Sequence, residues 1–366
     1  MKIIGIDLFK ADIPYWSPFR IALGTSDGTR NVFVRIRTDS GLYGWGEGSP
    51  TRRITGENQG TIVAVSGDLA QLLIGQDPLE IERHTLAMRD LYVHNTTARC
   101  AFDMALYDLA GKATDRPLFE VLGGTRRAFF TDNTIGIDDP DTMAEKAVAF
   151  QQEGFQAIKV KLGTGLEEDV RRIETIRSAI GPKIPLRIDA NQGWDRETAK
   201  TVLDSIKNQG IEYCEQPVKY WDYEGLREVR DSTSIPIMAD ESVFDHNDAE
   251  ILARDRCCDL LNIKLAKSAG IFNGMKIADV AEASGLACMV GSMSETRLGL
   301  SASAHLVSAR EIIRFADLDT HYDHKIDPVL EGVEITPEGI TIPDAPGHGA
   351  DLDPEFLASC ESVTIE

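Results

Sequence analysis

The chain has 366 residues, 42% of them hydrophobic, with 38 Lys plus Arg against 59 Asp plus Glu and a net charge of −21. That length exceeds one small core and fits a large α/β barrel with a smaller companion domain. The acidic balance leaves no basic footprint for nucleic acid, and no apolar run reaches membrane-spanning length.

In chain order, the opening "MKIIGIDLFKADIPYW" alternates and carries acid early, unlike a signal peptide. "NVFVRIRTDSGLYGWGE" reads as a hairpin turning at Asp39-Ser40-Gly41. Helical patterns follow in "ENQGTIVAVSGDLAQLLIG" and "TTARCAFDMALYDLAGKAT". Residues 1–125 are therefore expected to form an α+β unit. From about residue 129 the rhythm changes. Eight short apolar runs, "FFTDNTIGI", "AIKVKLG", "PLRIDANQG", "IEYCEQP", "PIMADES", "LLNIKLAK", "LACMVGS" and "IIRFADLD", alternate with amphipathic stretches. Repeated strand–helix alternation predicts a (β/α)8 barrel over 126–320. The doubly wound alternative lacks a GxGxxG after its first strand. The tail, 321–366, has strand and turn signals and is expected to return to the N-terminal unit and complete it. Six scattered cysteines form no CxxC pair, which fits buried thiols in a reducing cytoplasm.

Polar residues close the runs on a steady beat. Lys161, Asp189, Glu215, Asp240, Lys264, Ser292 and Asp317 are 28, 26, 25, 24, 28 and 25 residues apart. Each follows a β-run, so each belongs at the C-terminal mouth, where barrels carry their chemistry. Asp189, Glu215 and Asp240 offer hard oxygen ligands without His or Cys, a set that suits Mg²⁺ rather than zinc. Lys159 and Lys161 share a side of one strand, and Lys264 comes four strands later, across the barrel. A lysine near a divalent ion and a second lysine should have a lowered pKa and serve as a general base. Two such lysines can take a proton from one face of a carbon and return it to the other, while the metal stabilises the enediolate. His305, in "SASAHLVSA", reads as structural.

"KVK" at 159–161, "DANQGW" at 189–194, "EQP" at 215–217, "ADES" at 239–242 and "NIKLAK" at 262–267 resemble, in order and spacing, the muconate-lactonizing-enzyme subgroup of the enolase superfamily. The resemblance runs over essentially the whole chain. It implies an enolase-type modified barrel with a capping domain. It implies one Mg²⁺ on Asp189, Glu215 and Asp240, and Lys161 with Lys264 as acid and base, Lys159 supporting. Within the subgroup, the pair Asp317 and Asp319 resembles the DxD with which dipeptide epimerases bind a substrate's free ammonium, and two carboxylates can satisfy such a group. The resemblance further implies that Ser292, Met293, Thr134, Gly24, Arg52, Arg53 and Ile54 line the substrate. Alanyl-glutamate epimerases of this kind can carry an arginine where this chain has Gly24; Arg52 and Arg53 are the candidates to replace it. Asp323 lies off the beat, facing either substrate or water. The expected activity is Mg²⁺-dependent epimerisation of the C-terminal residue of a dipeptide by a cytoplasmic homo-oligomer. A cycloisomerase, an o-succinylbenzoate synthase, an N-acylamino acid racemase and a non-catalytic cation-binding barrel stay open.

Overall fold

Strand β1 (Ile3–Ile21) hairpins into β2 (Gly24–Thr38), which turns into β3 (Tyr43–Gly48), in a computed structural model that describes all 366 residues. Helices α1 (Gln59–Leu73), α2 (Ile81–Leu91) and α3 (Thr96–Thr114) pack on this sheet. Helix α3 is buried along most of its length. Gly44 and Gly46 let it lie against β3, because a Cβ at either would run into the Ala105 or Ala101 carbonyl. At the far end of the chain β16 (Glu361–Ile365) pairs antiparallel with β1, so the sheet order is β16-β1-β2-β3.

A short helix, α4 (Leu118–Val121), leads to the barrel. Its strands are β4 (Asn133–Ile135), β5 (Ile158–Lys161), β6 (Leu186–Asp189), β7 (Ile211–Glu215), β8 (Ile237–Ala239), β9 (Leu260–Lys264), β10 (Ala287–Gly291) and β11 (Ile313–Asp317), parallel and in unbroken sequence order. All eight apolar runs of the sequence are strands. They read as continuous apolar runs because both faces are covered. Between them lie α5 (Pro140–Glu153), α6 (Leu166–Ile180), α7 (Arg196–Ile206), α8 (Tyr223–Ser232), α9 (His246–Arg254), α10 (Leu265–Ser268) with α11 (Ile271–Ser284), and α12 (Arg297–Ala309). Helix α7 shows the rule: Asp195 caps it by accepting the Thr198 amide, and Ala199, Val202, Leu203 and Ile206 bury one stripe. Val202, Leu203 and Ile206 each contribute roughly 1.5–3 kcal/mol by leaving water.

The eighth unit departs from the expected alternation. After β11 comes a 3-10 turn, Thr320–Asp323, and no barrel helix, because the chain leaves for the cap. It does so through β12 (Val329–Glu331), which pairs with β15 (Ala350–Leu352), a small hairpin of β13 (Glu334–Thr336) and β14 (Gly339–Thr341), and α13 (Pro354–Ser359). No β-ladder joins β11 to β4. Side chains close that seam instead: Leu318 N donates to Thr131 Oγ1 at 2.8 Å and Thr134 N to Asp319 Oδ2 at 2.7 Å.

Cap and barrel have main apolar cores of 18 and 55 buried residues; Cys100 and Met104 of α3 belong to the larger one, a smaller cluster sets Ala11, Phe33 and Trp45 against Leu298, and polar contacts further fix their relative position. Two cap carboxylates do this at barrel-helix N-termini. Glu47 of β3 accepts Thr296 N and Gly299 N at 2.9 Å, capping α12. Asp103 of α3 accepts Ile271 N at 2.5 Å and Phe272 N at 3.3 Å, capping α11. These amides have no partner within their own helices. No helix is long and apolar enough to cross a membrane.

Candidate active site

The beat read from the sequence is a ring in the barrel's register. Lys161 lies level with Asp189 and Asp189 with Glu215; on the other side Lys264 lies level with Gly291 and Gly291 with Asp317. Strands β5 and β9 are four places apart among eight, so Lys161 and Lys264 face each other across the mouth. Both line one cavity of about 800 Å³.

Ammonium groups thread the acids. Lys161 Nζ is 2.6 Å from Asp189 Oδ2, and Lys264 Nζ is 2.8 Å from Asp240 Oδ2 and 3.9 Å from Glu215 Oε1. Lys159, fully buried, reaches Asp317 Oδ2 at 2.5 Å and Glu215 Oε2 at 2.6 Å. Burial works to lower both Lys159 and Lys264, but the surrounding carboxylates outweigh it and hold both above the usual lysine range. Glu215 is pushed up to about 7 by burial and by Asp189. At Asp240 burial acts upward, yet Lys264 and Lys267 prevail and keep it ionised. Lys267, also fully buried, donates to the Asp240, Val243 and Asn262 carbonyls and lies 3.0 Å from Asp240 Oδ1.

The donor set fits a hard divalent cation. Glu215 Oε2, both oxygens of Asp240, Asn191 Oδ1, Asn262 Oδ1 and Glu241 Oε2 are all buried without an aligned hydrogen-bond donor, even where lysines come close. Orphaned buried oxygens in such density are costly unless a cation joins them.

A second acid group sits at the seam. Asp132, Asp317 and Asp319 bring carboxylate oxygens within 4.8 Å of one another, close enough to share a cation. Arg187 Nη1 holds Asp132 at 2.9 Å, Lys159 holds Asp317, and the Thr134 amide holds Asp319 Oδ2. Asp317 stays ionised, since its three neighbouring lysines outweigh burial. Burial together with Asp317 pushes Asp132 up to about 7 and Asp319 well above the carboxylate range. The trio therefore carries more carboxylate than its cations balance.

Ser292 donates to the Asp317 carbonyl at 2.9 Å and, with Met293, lines the cavity. Gly24, Arg52, Arg53 and Ile54 line it from the cap. Gly24 has φ +138°, and a Cβ there would fall on the Arg53 guanidinium, so Arg53 fills the space that Gly24 leaves. Asp317, Asp319 and Thr134 are not part of the cavity wall; the two acids, 5% and 6% exposed, lie beneath it. Asp323 is half-buried, takes no hydrogen bond and is pushed up to about 6 by burial. His305 is structural: its Nδ1 accepts Phe119 N at 2.9 Å, the rings stack, and burial lowers it to about 3.

Sequence reading missed Asp132, Asn191, Asn262 and Lys267. Asp132 lies 29 residues before Lys161, so the beat run one unit backwards reaches it. Asn262 is two residues before Lys264 on the same strand face. Lys267 gave no signal apart from its motif.

Opposed lysines beside clustered carboxylates at a barrel mouth define a proton-transfer enzyme working on a carbon acid. The N-terminal residues 3–123 match the mandelate racemase / muconate lactonizing enzyme N-terminal domain, and residues 142–356 match the enolase C-terminal domain-like family. The chain belongs to this mandelate racemase / muconate lactonizing enzyme family of the enolase superfamily. It is 41% identical to the D-Ala-D/L-Ala epimerase of Cytophaga hutchinsonii, covering 100% of both chains. It is 40% identical to the L-Ala-D/L-Glu epimerase of Bacillus subtilis, covering 95% of this chain and 96% of that one. The crystal structure of the dipeptide epimerase from C. hutchinsonii, complexed with Mg and D-Ala-L-Val, superposes with a TM-score of 0.98 at 40% identity over 100% of both chains.

Proposed function

We propose that the protein is a magnesium-dependent dipeptide epimerase that inverts the α-carbon of the C-terminal residue. The observation that carries this is the pairing of two lysines opposed across one cavity with an acid-rich seam beside it. Asp189, Glu215 and Asp240 hold the metal. When bound, Mg²⁺ supplies positive charge against the negative charge that develops on the substrate carboxylate as the α-proton leaves.

The rest is done by this chain's side chains. The lysine that is neutral takes the α-proton onto Nζ; the C–H electron pair passes into the adjoining carboxylate. The opposed lysine, an ammonium, gives its proton to the other face of the same carbon. Reversal of the two protonation states runs the reaction backwards. Lys159 keeps Asp317 and Glu215 in place. Asp317 and Asp319 each leave Oδ1 outside any hydrogen bond, and the substrate's ammonium supplies the positive charge their seam lacks. A diacid substrate would gain nothing there, which disfavours the cycloisomerase reading. Arg53, in the space of Gly24, faces the substrate side chain. Six unpaired cysteines, five of them buried, support a reducing cytoplasm. Exposed Trp16, Val93 and Trp221, at 68%, 73% and 66%, support assembly into a homo-oligomer, which light scattering on a sizing column checks.

The test is a dipeptide panel in D₂O with Mg²⁺-loaded protein, read by mass spectrometry. Deuterium should enter only the C-terminal α-position as the residue inverts. No uptake with any dipeptide would refute the proposal.

A further inference from the structure

A second cavity, of about 640 Å³, lies where cap and barrel meet, and Arg52, Arg53 and Ile54 line both it and the catalytic cavity. Its wall carries four arginines: Arg52 and Arg53 from the loop, Arg89 from the last turn of α2 and Arg99 from the first turn of α3. In a chain of net charge −21 such a concentration needs a reason.

Arg99 supplies it. Three arginines are nine-tenths or more buried: Arg99 at 5% exposure, Arg172 at 5% and Arg187 at 2%. Arg172 grips Asp169 and Glu168, and Arg187 grips Asp132 and Glu212. Arg99 grips no carboxylate. Its Nη2 reaches the Val93 carbonyl at 3.4 Å, and its Nε is buried with no acceptor. The acids whose charge it feels, Glu57, Asp103 and Asp245, are hydrogen-bonded elsewhere: Glu57 accepts Thr97 N and Ala98 N, Asp103 accepts from the Thr85 hydroxyl and from Ile271 N and Phe272 N, and Asp245 accepts Asn247 N and Asp248 N. A guanidinium removed from water without a counter-charge is strongly unfavourable.

Other groups on the same wall share this lack. Thr96 Oγ1, Ser268 Oγ and His246 Nδ1 are buried without partners. The N-terminus of α3, a helix of 19 residues, has Asn95 in the left-handed region and is capped by Glu57, whose carboxylate is taken up by the Thr97 and Ala98 amides. Among the wall's acids, Asp245 and Asp248 form the capping box of α9, and Glu241 takes the Asn191 amide on Oε1 while its Oε2, part of the metal-site donor set, stays unpartnered.

We infer that this cavity binds a small molecule bearing an oxyanion, a carboxylate or a phosphate group, which pairs with Arg99 and reaches Arg89 and the Arg52–Arg53 loop. Because that loop also walls the catalytic cavity, the ligand and the substrate are coupled, each altering the other's affinity by the same factor.

The probes are orthophosphate and succinate, titrated by calorimetry into the full-length Mg²⁺-loaded protein. One site per chain is expected for at least one of them. Orthophosphate alone assigns a phosphate group, succinate alone a carboxylate. Arg99→Met and, separately, the surface variant Arg89→Gln should each weaken binding at least tenfold, whereas Lys161→Ala should bind like the wild type. In anion-free buffer Arg99→Met should melt at or above the wild-type temperature, because it removes an uncompensated charge. Heat from neither probe overturns the inference. So does binding lost in Lys161→Ala but kept in Arg89→Gln, which places the anion in the catalytic cavity, or a marked fall in the melting temperature of Arg99→Met.

Discussion

At the barrel mouth, Asp189, Glu215, Asp240 and Asp317 face lysines; at the joint between cap and barrel, Glu47 and Asp103 face backbone amides and hydroxyls. Both groups are buried, and apart from Glu215, which burial and Asp189 push up to about 7, their surroundings drive them apart. The lysines keep Asp240 and Asp317 ionised against the effect of burial. The amides are too weak to do so, and burial pushes Glu47 up to about 8 and Asp103 up to about 7. Amides have direction and no net charge, so they orient a domain. Ammonium groups bring charge and exchangeable protons, so they do chemistry. Burial alone does not mark a carboxylate as functional; the partner decides.

Breaking the mouth should have the largest effect. Lys161→Ala or Lys264→Ala should lower kcat by roughly 10²–10⁴-fold, with circular dichroism unchanged; polarimetry on a dipeptide reads the loss. Chelation of the metal should abolish turnover, and Mg²⁺ should restore it. Next comes the seam. Asp317→Asn with Asp319→Asn removes two charge-assisted contacts of about 1.5–3 kcal/mol each. It should lower kcat/KM for free dipeptides by at least about 100-fold while sparing N-acetylated ones; wild-type turnover of N-acetyl dipeptides equal to that of free ones would remove the ammonium role.

The joint should respond through stability rather than rate. An acid whose folded pKa is raised holds a proton that the unfolded chain releases. Its contribution is therefore intact at low pH and declines as pH rises, between about 4 and 7 for Asp103 and from about 4.5 to 8 for Glu47. Glu47→Gln or Asp103→Asn should flatten this decline, by on the order of 4 kcal/mol across the window, as measured by urea unfolding at successive pH values. The smallest effect is expected at the cap loop. Arg53 is exposed and unpaired, so Arg53→Ala should change the preference between C-terminal Glu and Val by roughly two- to fivefold.

The same contrast explains what the sequence made legible. The mouth is periodic: each barrel unit spans 24 to 28 residues, so a polar residue at each strand end is a signal that repeats. Asp317 falls on that beat, whereas its pairing with Asp319 is what the resemblance to dipeptide epimerases implies. The joint has no period. Glu47 lies in a glycine-rich strand and Asp103 in a buried helix, and each meets its amides about 250 or 168 residues away in sequence. The exchange of space between Gly24 and Arg53 depends on one backbone angle and one side-chain path, and Arg99 is notable only for what it does not touch. The missing eighth helix follows from the chain's return to the cap, a decision made after the last repeat.

The hairpin of β1 and β2 is anchored at its base in the capping sheet, while its tip, around Leu23 to Thr25, overhangs the lysines. The ceiling of the catalytic chamber is thus encoded wholly within the first 60 residues and its floor wholly after residue 130. A single crossover in the link between them would give the same floor a different ceiling. Chimaeras joined there offer a route to new selectivity that leaves every proton-handling group where it stands, and gene recombination has the same route open to it.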